Sequence, residues 1–211
     1  MSNMKNRSMI RNLVLTGILA AIVVVLQIFS GYIRFGPFSI TLALVPIIVG
    51  AALCGPLSGA FLGLVFGTVV LINDAGAFLA INVFGTVATV LLKGMLAGLA
   101  SGLIFKAFKS AAAEDLDKHP WLKMARIFFS GFACPVVNTG VFVIGCYLFF
   151  MPTIEEWAKG LGYANASTYL FIGMIGTNFI IELATVTLLS PVIARIIDLA
   201  APGAIHKARA E

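Results

Sequence analysis

Lys93 and Glu182 are ionisable side chains set within long apolar runs. A charge at membrane depth costs several kcal/mol unless it is paired or hydrated, so each marks a candidate site. Around Lys93, the residues Asn82, Thr86, Thr89 and Lys93 fall at i, i+4, i+7 and i+11, which puts them on one face of a helix. Asn178, Glu182 and Thr185 share a face in the same way, and Asn138 stands beside Thr139, one turn after Cys134. Two readings fit these stripes. In one, Lys93 and Glu182 form an ion pair that holds helices together, with neighbouring amides completing the hydrogen bonds, although buried pairs often add little net stability. In the other, the three faces enclose a pocket for a small polar solute, and Lys93 or Glu182 orients its charged or amide groups. Arg34, Asn73 and Asp74, at the ends of apolar runs, either reach that pocket from the loops or are simply solvated at the interface. The candidate binding set is Arg34, Asn73, Asp74, Asn82, Thr86, Lys93, Asn138, Asn178 and Glu182.

Catalysis has no comparable constellation. His119 and His206 both lie in charged segments outside the apolar runs, and the chain contains no HExxH, GxSxG or P-loop sequence. A hydrolase needs an activated nucleophile or a metal-bound water. The expectation is a protein with no catalytic residue, metal or cofactor. Cys54, Cys134 and Cys146 lie in apolar runs without metal-ligand spacing, and their odd number argues against a disulfide framework. They read as small packing residues. Lacking a P-loop of its own, the chain would have to draw the energy for uphill transport from a partner or an ion gradient.

Such side chains need elements that hold them in an apolar medium. Of the 211 residues, 60% are hydrophobic and 11% charged, with a mean hydropathy of +1.05; soluble domains run about half apolar and about a quarter charged. A helical crossing takes roughly 20 mainly apolar residues. The chain is therefore expected to be all-α, an integral membrane bundle of six transmembrane helices at about 13–32, 39–54, 57–72, 81–105, 127–151 and 169–197, in a single transmembrane domain over residues 1–211. The first run follows Lys5, Arg7 and Arg11 in the manner of a signal peptide, but its apolar part is too long and no small-residue cleavage site follows, so it reads as a retained helix. Gly55-Pro56 breaks the chain between the second and third runs, and Pro46 is expected to bend the second.

With the N-terminus cytoplasmic, the inner side collects Lys5, Arg7, Arg11, Lys106, Lys109, Lys118, Lys123, Arg126, Arg195, Lys207 and Arg209, while the outer loops keep only Arg34 and Lys159. This asymmetry predicts both termini inside, in the cell membrane, and accounts for the formal charge of +5 without a nucleic-acid partner. Residues 109–123, which include Glu114, Asp115, Asp117 and His119, read as a solvated inner linker. In the outer connection after the fifth run, Thr153 and Glu156 have capping-box spacing, which predicts a short helix ending near Gly160 with Trp157 at the membrane surface. Asn165-Ala-Ser167 matches a glycosylation acceptor, a short motif read here as chance.

Gly59, Gly63 and Gly67 repeat every four residues, as do Gly94, Gly98 and Gly102. Such stripes let another backbone approach closely, and internal packing is the expected use. Gly17 and Ala21 form a shorter stripe in the first run, where docking of another subunit competes with internal packing.

The stretch Pro46-Ile-Ile-Val-Gly-Ala-Ala-Leu-Cys-Gly-Pro56-Leu-Ser-Gly59, preceded by Phe35-Gly-Pro-Phe-Ser-Ile-Thr41, resembles the second and third helices of the substrate-binding S components of energy-coupling factor (ECF) vitamin transporters. The resemblance extends over nearly the whole chain. It implies capture of a vitamin or vitamin precursor from outside, in a pocket formed by the later helices and closed by outer loops. It further implies docking on a transmembrane T component served by two cytoplasmic ATPases, with release by tilting in the membrane. The family's docking face is an AxxxA stripe on the first helix, which Gly17 and Ala21 match with glycine at the first position. The family's pocket region corresponds to the polar faces around Asn82, Lys93, Asn138, Asn178 and Glu182. Pantothenate is the first candidate solute, because its carboxylate suits Lys93 or Arg34 and its hydroxyl and amide groups suit the asparagines. The rival readings are a self-sufficient ion- or proton-coupled secondary transporter and a membrane enzyme or scaffold.

Overall fold

The computed structural model describes residues 2–32, 34–35, 38–39, 42–111 and 120–200. Helix α1 spans Ser2–Ser30 and is followed by a two-residue antiparallel pair, β1 (Arg34–Phe35) and β2 (Phe38–Ser39), with Arg34 opposite Ser39. Helices α2 (Leu44–Cys54) and α3 (Pro56–Asn73) are separated by Gly55 alone, at φ 99° and ψ 175°. That region of backbone space is essentially restricted to glycine. Pro56 then opens α3, where a missing N–H costs nothing. After these come α4 (Gly76–Leu79), α5 (Val83–Ala111), α6 (Pro120–Phe149), α7 (Met151–Gly160), α8 (Ala166–Thr168) and α9 (Thr177–Ala200), with a π-helical stretch, Tyr169–Gly176, between α8 and α9.

Among the described residues, five helical segments are long and apolar enough to cross a membrane: Asn6–Ser30, Pro56–Asn73, Val83–Phe108, Met124–Phe149 and Ala166–Ala200. Helix α2 is a shorter apolar one. The expected helical membrane architecture is present, with the second span curtailed. Helix α2 starts at Leu44 rather than near 39, which leaves Pro46 in its first turn, where no intrahelical donor is lost, instead of at a bend. The centre of the expected inner linker, 112–119, and the tail from 201 lie outside the described residues. So do the side chains of Lys5, Lys109, Lys118, Lys123, Lys207 and Arg209 and both histidines.

Helix α7 ends at Gly160 as expected, but it starts at Met151 with Pro152 in its first turn, so Thr153 lies inside the helix and the expected capping box does not form. Asn165 has a local task instead of a modification signature: its Oδ1 accepts from the Thr168 N–H at 2.8 Å and caps α8. Glu155 Oε2 accepts from the Ala166 N–H at 3.2 Å, which ties α7 to α8.

The two glycine stripes face each other. A Cβ at Gly59 would overlap the backbone of Gly98, one at Gly63 that of Gly94, one at Gly67 that of Val90, and one at Gly102 that of Pro56. Helices α3 and α5 therefore touch backbone to backbone, as small-residue stripes in an apolar solvent allow. Helix α6 joins α5 through Thr89, which fills the space beside Gly145, and through buried Ser130, whose Oγ donates to the Ser101 carbonyl at 2.9 Å. Val23, Leu44, Ile47, Ile48, Leu62 and Phe66 fill one apolar core, while Phe150, Ile154 and Leu170 anchor a second under α7. Gly17 and Ala21 face outward, among exposed Leu13, Val14 and Ile18.

This packing predicts opposite fates for two glycines. Gly63→Val should destabilise the protein by about 1–3 kcal/mol, because the obstacle is backbone that cannot rotate away. Gly140→Ala, where nothing lies within 4 Å, should leave stability unchanged or raise it. Thermal unfolding of the purified proteins in detergent reads both.

Candidate functional site

The glycine contact also places Lys93. Gly94 abuts α3, so its neighbour Lys93 stands beside Phe66 of that helix, with Nζ 5.9 Å from the centre of the Phe66 ring and 5.1 Å from that of Phe142 on α6. Ring faces attract a cation, most strongly where water is scarce. Glu182 of α9 is 1% exposed, and its Oε1 accepts from Asn178 Nδ2 at 3.0 Å. Asp74 follows the last residue of α3, and its Oδ2 accepts from Gln27 Nε2 of α1 at 3.0 Å. Burial strips Lys93 of water, and among the carboxylates that offset this Glu182 acts most strongly and Asp74 less.

These groups line one cavity of about 310 Å³, at the small end of the range for ligand pockets. Its polar wall consists of Gln27, Asp74, Lys93, Asn138, Asn178 and Glu182, and its aromatic wall of Phe66, Phe78, Phe142, Trp157 and Tyr169. Phe78, on the short helix α4, contacts Phe142, Phe150 and Trp157 edge-on, with ring centres 5.8, 5.0 and 5.7 Å apart. The α3–α5 connection and α7 thus meet over the cavity. Trp157 is turned inward to line it, contrary to the expected place at the membrane surface, because Ile154 and Ala158 on the same helix are buried against the second core.

The π-helical stretch sets the register of α9. Tyr169, Met174, Asn178 and Glu182 all line the cavity, at steps of five, four and four. In an α-helix a five-residue step swings a side chain about 140° away. The wider π turn, bonded i to i+5, brings Tyr169 and Met174 onto one face above Asn178.

Of the sequence-predicted set, the fold brings Asp74, Lys93, Asn138, Asn178 and Glu182 together. It does not bring Asn73, Asn82 or Thr86 to the cavity wall. Asn82 precedes α5 and accepts from the Gly85 N–H at 2.9 Å through Oδ1, while its carbonyl accepts from Thr86 Oγ1 at 2.7 Å. Thr86 is buried in helix packing, and Asn73 is exposed at the end of α3. A lysine on that face reaches the cavity because its stem is long, whereas the short hydroxyls above it are absorbed by the helix contact. The Arg34 side chain lies outside the described residues. Sequence reasoning missed Gln27, Phe78, Tyr169 and Met174. Gln27 had a signal, since apart from Thr16 it is the one polar side chain between Leu13 and Phe29.

Fold and site together define a class: a helical membrane protein that holds a solute-sized cavity, walled by charge and aromatic rings, between its helices. Residues 11–194 match the family described as ECF transporter, substrate-specific component, and the chain belongs to that family. It is a multi-pass plasma-membrane protein and the substrate-binding part of a transporter, whose partners are a transmembrane component, ATPase subunits and a small-molecule substrate. Neither the curated proteins nor the solved structures give a match.

The electrostatics of the cavity predict coupling between Lys93 and Glu182. Glu182→Leu alone should lower stability by about 3 kcal/mol, and Lys93→Met in the same chain should restore part of the loss. A double-mutant cycle on thermal stability measures this, and additive effects would show that the two charges act independently.

Proposed function

We propose that this chain captures a vitamin or vitamin precursor from outside the cell and delivers it through a T component powered by two partner ATPases. The observation that carries the reading is the cavity itself: buried Lys93, Glu182 and Asp74 around a space of about 310 Å³, under aromatic side chains from α4 and α7, in a chain of the ECF substrate-specific family. Spans and loops form a single transmembrane domain with both termini cytoplasmic, as the basic residues favour. In that orientation α4 and α7 lie on the outer side, and the cavity lies beneath them. Pantothenate remains the first candidate. Its carboxylate would sit at Lys93 and its hydroxyl and amide groups against Asn138, Asn178 and Gln27. The exposed Gly17 and Ala21 would form the surface on α1 that docks on the T component.

Titration of purified protein with a panel of B vitamins and precursors, pantothenate included, tests the reading. One member should bind with nanomolar to micromolar affinity and Lys93→Met should weaken it at least about tenfold, as loss of a hydrogen bond to a charged group does. Gly17→Leu or Ala21→Leu should leave that affinity unchanged and abolish co-purification with the T component and ATPases. Uptake by this chain alone in liposomes, driven by a pH or ion gradient, would favour a secondary transporter instead.

A further inference from the structure

Helix α1 supplies one side chain to the cavity wall, Gln27. Its neighbours on the inner face, Val23 and Ser30, are buried with it, and Gln27 itself is 1% exposed. Its Nε2 donates to Asp74 Oδ2 at 3.0 Å. Chemistry fixes the orientation of the amide, because a carboxylate accepts hydrogen bonds and only the NH2 end of the glutamine can serve it. The other end, Oε1, is a buried acceptor that makes no hydrogen bond among the described residues. A buried acceptor left in this state is costly, and at the wall of a cavity the group that relieves it is a donor carried by the occupant.

We propose that Gln27 is a solute-binding residue, with Oε1 accepting a hydrogen bond from an O–H or N–H of the captured molecule. The inference rests on the solute-capture reading above and deepens it. The ligand must carry a hydroxyl, amine or amide donor within reach of the α1 wall, besides whatever group Lys93 holds. A solute whose only polar group is a carboxylate has no partner for Oε1. Asp74 is then a positioning residue, since it holds the amide with its carbonyl free. A site built to accept from a ligand donor also rejects analogues that lack it.

The chain contains a single glutamine, which permits a test on the unaltered protein. Cell-free synthesis with glutamine carrying 13C at the side-chain carbonyl labels Gln27 alone. A difference infrared spectrum is then recorded on adding the panel vitamin that binds. A shift of the labelled carbonyl band to lower frequency is the expected result. Binding without a shift overturns the assignment while leaving solute capture intact. Failure of every panel member to bind overturns the capture reading, and this one with it. As a second measurement, Gln27→Met should weaken that vitamin at least about tenfold and its analogue without the donor group hardly at all. Equal weakening of both would mean that Gln27 only shapes the wall.

Discussion

Gly59 and Gly63 on α3 lie against Gly98 and Gly94 on α5, and this backbone contact is the constraint on which the cavity depends. In a bilayer no hydrophobic force draws helices together, because lipid tails are as apolar as leucine; association comes from close packing and from hydrogen bonds. Four glycines bring the two helix axes near, and the lysine beside one of them is thereby delivered to the ring of Phe66. Loosening this contact would change the place of the buried cation as well as the stability of the pair. The stripe is structural in its packing and functional in its consequence.

Around that fixed cation the remaining elements contribute different chemistry. Helix α9 brings Glu182 and Asn178 already bonded to each other, so the carboxylate arrives with part of its acceptor capacity satisfied. The π-helical turn above them adds Tyr169 and Met174 to the same wall. Such turns are rare and recur at functional sites, where they re-aim side chains that an α-helix would send elsewhere. Phe78 and Trp157, each from a short element between long helices, close the aromatic side through edge contacts. A rigid helical frame thus carries the charges, and the connections carry the rings.

Helix α1 faces two ways. Its inner face carries Val23, Gln27 and Ser30, all buried, while Gly17 and Ala21 lie among exposed apolar residues on the outer side. In a family whose members hand their substrate to a separate transmembrane component, one helix that touches both the cavity and the outer surface provides a short physical route between occupancy and docking. No energy source for transport was found in the sequence, and the family supplies one through its partners.

Much of the architecture was legible in the chain, because the bilayer imposes a length and an apolarity that each crossing must meet. The turn at Gly55-Pro56, the two packing stripes and the importance of Lys93 and Glu182 follow from residue type and spacing alone. Helical spacing failed where it was extended past a helix end or through an altered turn. Asn82 is a cap rather than part of the face it was counted on, and Tyr169 joins the wall only through a π turn that no 3.6-residue period describes. Pairings between distant helices were beyond any local pattern. Gln27 meets Asp74 across 47 residues of sequence, and Trp157 turns toward Phe78 because Ile154 and Ala158 claim the opposite burial. Residue chemistry by itself determined which groups are costly in an apolar medium. Only the tertiary structure decided which of them share that cost, because this depends on how close the glycines let the helices come.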